Sequence, residues 1–258
     1  MRRKVIDLHV HLFPDNFSSK AVKALEGKYG MRFIAEPTVE GLKRFMGQND
    51  IEISVVQPVA TSKGQVSVIN DWIVDLVKRN KEIKAFGAYY PGTKNVADML
   101  SRLKQNGVNG IKLHPYFQDF YPDDKSMFDF YEHIIIEDMW ILFHAGYEAE
   151  NFLRLREKYP ELKMILAHLG GYKSWDKTEK YLVGKDLYFD VSHTFGFMPE
   201  EKIKKIIESH GPEKIVFGSD FPLSASGETL NRFMEMDLKK EYKDMVLYSN
   251  AKNNILIL

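Results

Sequence analysis

The chain contains no cysteine among its 258 residues, which excludes disulfides, iron–sulfur clusters and thiolate metal sites. Any bound metal must therefore be held by histidine, aspartate, glutamate or a modified lysine. Neither sign of charge is in excess, since 36 basic and 36 acidic side chains balance, so global charge favours neither nucleic acid nor an anionic membrane as a partner. No apolar run approaches membrane-spanning length, and none follows the basic N-terminus as in a signal peptide. These absences predict a soluble intracellular protein, and the lack of cysteine suits the reducing cytoplasm.

Short β-branched and apolar runs alternate along the chain with stretches of helical periodicity. The predicted strands are residues 4–12, 53–59, 83–90, 110–115, 140–146, 163–170, 187–193 and 214–222. Repeated alternation of strand and helix indicates parallel strands joined by right-handed crossovers. Eight such units in this length, with 44% hydrophobic residues, favour an α/β fold with a single (β/α)8 TIM-barrel domain over residues 1–258. An open doubly wound sheet is the alternative.

The first predicted strand carries His9 and His11 on one face, because side chains alternate along an extended chain. Two imidazoles side by side suit a borderline metal such as zinc. A single His-x-His pair is common, however, and identifies no site by itself. Its meaning depends on what the other strands bring to the same place.

Polar side chains recur near the C-terminal ends of the predicted strands, where buried apolar residues are expected. All strand ends of a parallel barrel open onto one face, and six of the eight histidines fall in this set. Its members are His9, His11, Lys112, His114, His144, His168, Ser192, His193 and Asp220, with Asp7 and Asp190 nearer the strand starts. Asp220 ends an apolar run, where a carboxylate is costly unless it is paired, protonated or bound to a cation. We therefore expect a metal site at this face.

Four motifs resemble those of the amidohydrolase superfamily, and most closely its amidohydrolase-related branch of metal-dependent hydrolases and non-oxidative decarboxylases. They are Asp7-x-His9-x-His11, Phe143-His144-Ala145-Gly146, Ala167-His168-Leu169-Gly170-Gly171 and Gly218-Ser219-Asp220-Phe221-Pro222, in the family's order over essentially the whole chain. The resemblance implies that His9, His11, His144 and Asp220 hold one divalent metal ion, with zinc expected and manganese as the alternative. It also implies catalytic roles for Asp220, which would move a proton, and for His168, which would assist as an acid/base or polarising group.

Lys112 is open to three interpretations. It resembles the lysine that some superfamily members carboxylate to bridge two metals, and a second metal is expected here only in that case. A contact with a substrate anion and a structural ion pair are the alternatives. Together with His114 and His193, Lys112 is predicted to bind a small substrate that bears a carboxylate. The sequence leaves a homodimer open.

The resemblance favours hydrolysis, in which activated water attacks the carbonyl of a small lactone, ester or amide. Non-oxidative decarboxylation of an aromatic or unsaturated carboxylic acid is the alternative, because the same metal site serves both reactions. A TatD-like nuclease is less expected, since Lys112 stands where those enzymes carry a glutamate, and a non-catalytic metal-binding barrel is the remaining alternative. Segments 16–37 and 116–125, which follow motif-bearing strands, are predicted to supply the pocket walls that decide between the first two.

Overall fold

The computed structural model describes residues 4–14, 18–19, 22–23, 25–27, 32–146, 148–223 and 228–256. Its strand segments are β1 Ile6–Val10, β2 Ile53–Val56, β3 Ile83–Ala85, β4 Gly87–Ala88, β5 Gly110–Leu113, β6 Trp140–Phe143, β7 Lys163–Leu166, β8 Tyr188–Asp190 and β9 Ile215–Val216. Segments β3 and β4 are halves of one barrel strand interrupted at Phe86, whose N–H donates to the Val56 carbonyl at 2.9 Å. The eight predicted strands are therefore all present.

Neighbouring strands pair in parallel throughout, in the order β1-β2-β3 and then β4 to β9. Backbone hydrogen bonds then close the ring between its last and first strands. The Leu8 N–H donates to the Phe217 carbonyl at 2.9 Å, and the Asp220 N–H donates to the His9 carbonyl at 2.9 Å. The predicted (β/α)8 barrel is confirmed, and the open sheet is wrong.

Helices fill the intervals between strands, as the periodicity predicted. They are α1 Val39–Gln48, α2 Val66–Arg79, α3 Val96–Gln105, α4 Pro115–Gln118, α5 Phe128–Ile136, α6 Ala149–Lys158, α7 Trp175–Tyr181, α8 Glu200–His210, α9 Glu228–Glu235 and α10 Lys240–Asp244, followed by π-helical turns at Met245–Ser249 and Ala251–Leu256. Helix α2 shows the common pattern, because Ile73 and Leu76 are buried while Asp75 faces water. None of the helices in the described ranges has the length and apolar character needed to cross a membrane.

Strand β1 divides its side chains between apolar packing and the site. Ile6 and Leu8 join a buried cluster with Val216 and the final helical turns, whereas Asp7 and His9 project from the other face. The chain after β9 passes so close that a Cβ on Gly218 would lie 2.7 Å from the His9 Cβ. Only glycine permits this approach, which brings the residues after β9 alongside His9.

Candidate active site

Three of the four predicted metal ligands lie together at the ends of the first and last barrel strands. The Nε2 atoms of His9 and His11 are 3.2 Å apart, and Asp220 Oδ1 lies 3.7 Å from the first and 3.1 Å from the second. One ligand atom from each of the three residues lies within 4.8 Å of the other two. His9 and Asp220 are buried, while the His11 side chain is 20% exposed. The group therefore opens toward solvent at His11.

The hydrogen bonds behind these atoms turn lone pairs toward one another. His9 Nδ1 is 2.8 Å from an Asp190 carboxylate oxygen, and His11 Nδ1 is 2.8 Å from the Gln57 carbonyl, so both Nδ1 atoms must donate. With their hydrogens on Nδ1, neutral rings would present Nε2 lone pairs to each other and to Asp220. Such acceptors repel unless a proton or cation lies between them, and two imidazoles with one carboxylate suit zinc or manganese. The donor set fits a divalent metal.

Burial sets the charge states of these groups. It lowers the pKa of His9 to about 3, with the Lys112 ammonium acting in the same direction, and it also lowers the pKa of His168. For Asp220, burial acts to raise the pKa, but a hydrogen bond from His11, whose proton takes the place of a cation between the two groups, holds it well below the usual value. The site thus combines the neutral rings of His9 and His168 with an ionised Asp220, protonation states that metal binding requires.

His144, the fourth predicted ligand, lies beside this group of three. Its Nδ1 is 3.1 Å from Nε2 of His168, and its ring stacks on His114 with 3.9 Å between ring centroids. Among the residues that the structure describes, the compact set of ligand atoms comprises His9, His11 and Asp220. The metal-binding role of His144 stays a prediction.

Lys112 and His193 border the same group. Lys112 is 1% exposed, and its Nζ lies 3.3 Å from Nε2 of His9. Burial lowers its pKa to about 8, against the opposing influence of Asp190 and Asp220. His193 Nδ1 is 3.7 Å from Asp220 Oδ2, and its side chain is 27% exposed. Two of the three predicted substrate-binding residues, Lys112 and His193, therefore adjoin the candidate metal position.

Aromatic rings surround these polar groups. Phe117, from the predicted pocket wall 116–125, stacks on His114 with centroids 3.8 Å apart. A second cluster contains Tyr172 and Phe197, whose centroids are 5.4 Å apart and lie 5.6 and 4.9 Å from that of His193. The other predicted wall, 16–37, lies partly outside the described residues. These rings form an aromatic border beside the polar groups at His114 and His193.

The family model described as amidohydrolase matches residues 6–253. This chain belongs to the amidohydrolase family. The predicted resemblance is thereby confirmed for the family, while the reaction and the site roles need their own arguments. No curated protein matches the sequence.

Solved structures share the fold of this chain at low identity. A 5-carboxyvanillate decarboxylase from Sphingomonas paucimobilis is 16% identical with a TM-score of 0.74, and 98% of each chain is covered. A structure described as an amidohydrolase II is 19% identical with a TM-score of 0.78, covering 98% of this chain and 100% of that chain. A dihydroxybenzoic acid decarboxylase from Polaromonas sp. JS666, with bound manganese and the inhibitor 2-nitroresorcinol, is 17% identical with a TM-score of 0.75 and coverages of 97% and 96%. These likenesses establish the fold.

Two residues to which the sequence gave no individual role, Asp190 and Ser192, hold the site histidines in place. Asp190 lies 2.8 Å from His9 Nδ1 and accepts the His168 N–H at 3.0 Å. Ser192 Oγ lies 3.1 Å from His9 Nδ1 and 3.0 Å from His168 Nδ1. The sequence signal that could have indicated Asp190 is a carboxylate within an apolar strand, because such a group must be paired when it is buried.

The backbone is unusual at three predicted site residues. His168, His193 and Asp220 have φ values of 58°, 51° and 62°, in the left-handed region that residues other than glycine seldom adopt. Such strain is concentrated at functional sites because the surrounding structure must hold it in place. Residue type alone gave no hint of these conformations at the two histidines.

Proposed function

We propose that this amidohydrolase is a metal-dependent, non-oxidative decarboxylase of a hydroxylated aromatic carboxylic acid. The observation that carries the proposal is a buried ammonium, that of Lys112, directly beside the candidate metal position. A substrate with a carboxylate group would neutralise this cation. A neutral lactone or ester would leave it unpaired. The decarboxylases of similar fold support the same reaction class, although their identity to this chain is low.

Lys112 lacks a close anionic partner within the described ranges. Asp190 and Asp220 influence its pKa only as neighbouring charges, and its nearest polar contact is Nε2 of His9 at 3.3 Å. With a pKa of about 8, the group carries its charge at neutral pH. A buried cation without an ion pair is costly, and a divalent metal beside it increases that cost. A bound carboxylate would neutralise both charges.

The aromatic border supports an aromatic substrate over an aliphatic one. Phe117, His114 and His144 stack in series, with centroid spacings of 3.8 and 3.9 Å. Tyr172 and Phe197 add a second aromatic cluster beside His193. Stacked and edge-on contacts of this kind favour a planar ring.

The metal proposed here is zinc or manganese, held by His9, His11, Asp220 and, as predicted, His144. When bound, it would polarise the oxygens of the substrate hydroxyl and carboxylate. Manganese in the Polaromonas decarboxylase makes it the first ion to test. The metal requirement is common to the family, so it does not by itself distinguish decarboxylation from hydrolysis.

Asp220 is the proposed proton carrier. Being ionised, it can take the proton of a substrate hydroxyl and then deliver that proton to the ring carbon. The bond to the carboxylate breaks, carbon dioxide leaves, and the electron pair that stays on the carbon binds the proton. The reaction consumes one proton overall, which His193 can relay from solvent because it lies 3.7 Å from Asp220. His168, already bonded to His144, is proposed to orient that ring.

Hydrolysis, the reaction favoured by sequence, remains the second candidate because an ionised Asp220 could equally accept a proton from water. We keep the single domain over residues 1–258 and the cytoplasm as proposals. The cytoplasm is supported by the cysteine-free composition, which suits a reducing compartment. A small carboxylic acid is the proposed partner.

The deciding experiment compares two products from one set of acids. Protein reconstituted with manganese or zinc is incubated with 5-carboxyvanillate, with dihydroxybenzoic acids and with their methyl esters. We expect release of carbon dioxide and the matching phenol from the free acids and no turnover of the esters. Ester hydrolysis without carbon dioxide release would reject the proposal and favour the hydrolase. Protein treated with chelator and assayed without added metal is the control and should be inactive.

A further inference from the structure

The carboxylate of Asp190 collects donors from three parts of the barrel end. Its Oδ2 faces His9 Nδ1 at 2.8 Å, while its Oδ1 accepts the His168 N–H at 3.0 Å and the Ser192 N–H at 2.9 Å. The Ser192 hydroxyl also donates to Oδ1. With three donors already at Oδ1, the geometry leaves the carboxylate in its ionised, accepting form. Asp190 is therefore an acceptor only.

These contacts fix which ring nitrogen of His9 carries the proton. An ionised carboxylate cannot donate a hydrogen, so His9 Nδ1 must donate to Asp190. The Ser192 hydroxyl donates its hydrogen to Asp190 and therefore cannot donate to His9. The Nζ of Lys112, an ammonium that only donates, lies 3.3 Å from Nε2, so Nε2 keeps its lone pair. That lone pair is the atom directed at His11 and Asp220.

The same reasoning extends to two more histidines. His168 Nδ1 lies 2.9 Å from the Ser192 carbonyl, which only accepts, so Nδ1 donates and Nε2 is left as an acceptor. In the metal-free protein, a hydrogen on His144 Nδ1, 3.1 Å from that Nε2, satisfies this contact. The Nε2 atom of His144 is thereby left with a lone pair, as a metal ligand would need.

We propose that Asp190 is a positioning residue that sets the Nδ1–H tautomer of His9, His168 and His144, and thereby keeps two Nε2 lone pairs ready for a divalent metal. It acts directly on His9 and indirectly on the others through Ser192, whose backbone it anchors. The metal-affinity part of this inference rests on the proposed metal site. The tautomer part does not, because it concerns the metal-free protein.

Other histidines provide internal standards. His11 Nδ1 is held by the Gln57 carbonyl at 2.8 Å, independently of Asp190. His210 has the opposite arrangement, since Nδ1 accepts the Gly184 N–H at 3.1 Å and Nε2 faces the Leu187 carbonyl at 2.9 Å. In the metal-free wild type we therefore expect Nδ1–H for His9, His144 and His168 and Nε2–H for His210.

The test is long-range ¹H–¹⁵N NMR of metal-free protein at neutral pH, which distinguishes the tautomers, combined with zinc and manganese affinities from chelator competition. In Asp190→Asn an amide NH2 must face either His9 Nδ1 or the donors at Oδ1. We expect the Nδ1–H signature to be lost from at least one of the three rings and affinity for either metal to fall by about 10- to 100-fold. His11 and His210 should keep their signatures.

Asp7→Asn is the matched control, because Asp7 is equally buried but accepts backbone N–H groups of His9 and Ser219 at 3.2 and 2.9 Å. It should leave all tautomers unchanged.

If Asp190→Asn fails to fold, Ser192→Ala and the wild type still decide the matter: an Nε2–H tautomer at His9 or His168 in either would overturn the proposal. Unaltered tautomers in a folded Asp190→Asn would also overturn it and reduce Asp190 to a packing role. Correct tautomers in a wild type that binds neither metal would instead reject the metal site.

Discussion

His9 and His210 are both buried histidines, but they lie at opposite ends of the barrel and have different surroundings. His210 lies where β8 begins, and each of its nitrogens meets a backbone partner of the matching type. His9 lies where β1 ends, and its Nε2 faces another imidazole at 3.2 Å and a carboxylate at 3.7 Å. Burial alone therefore does not distinguish a structural histidine from one in the candidate site. Of these two histidines, only His9 has a lone pair that faces other acceptors.

The largest effect that would test this contrast is expected from Asp220→Asn. An amide cannot carry the proton, so we expect kcat for decarboxylation to fall by about 10²- to 10⁴-fold, the usual share of a general acid–base group. His210→Gln is the matched change at the other end and should keep kcat near the wild-type value. The kcat values are to be measured with saturating acid and metal. Equal losses of kcat in both variants would contradict a functional difference between the two ends of the barrel.

The second prediction concerns pH and His210. Burial, assisted by Lys214, lowers the pKa of His210 to about 4 from 6.5, despite the opposing hydrogen bond to Leu187. Above pH 6.5 the ring is neutral in both folded and unfolded chains. Between pH 6.5 and 4 the unfolded chain binds a proton that the folded protein does not bind. Because of this residue, the free energy of unfolding should fall by about 3 kcal/mol as the pH falls across that range.

Urea unfolding of wild type and His210→Gln at several pH values isolates this contribution. The variant should be less stable at pH 7, and the difference should shrink as the pH falls toward 4. His133→Gln, in which a partly exposed histidine of α5 is replaced, is the control and should leave the wild-type pH profile unchanged. A stability difference that stays constant with pH would show that His210 contributes packing alone.

The third prediction tests Lys112 as the partner of the substrate carboxylate. Lys112→Met removes a charged hydrogen bond worth about 1.5–3 kcal/mol, so KM should rise by about 10- to 100-fold. Lys214→Met is the control, because its ion pair with Asp186 at 2.9 Å lies near the other end and is partly exposed. An unchanged KM in Lys112→Met would remove the main support for a carboxylate substrate.

Local sequence pattern was sufficient for the scaffold but not for the site chemistry. Alternating strands and helices located all eight barrel strands, and polar strand ends indicated which side chains would meet. The tautomer of His9 could not be predicted, because it depends on Asp190, far away in the chain. The support of His11 by the Gln57 main-chain carbonyl leaves no trace in residue type. The left-handed backbone at His193 likewise arises from tertiary structure.

The smallest expected effect comes from the aromatic border. Phe197 is 47% exposed, and its ring lies 4.9 Å from that of His193. Phe197→Leu keeps apolar area but loses aromatic contact worth about 0.5–1 kcal/mol, so KM should rise by about two- to fivefold while kcat and the unfolding midpoint stay near wild type.

Ile136→Ala is the control for this change, since Ile136 is 75% exposed on α5 and should alter neither value. A lower unfolding midpoint with unchanged KM in Phe197→Leu would mean that the ring serves packing. The aromatic border would then resemble the ring of His210, which stacks on Phe189 at 4.1 Å. A raised KM without loss of stability would instead extend the functional end of the barrel from the polar groups to the rings that surround them.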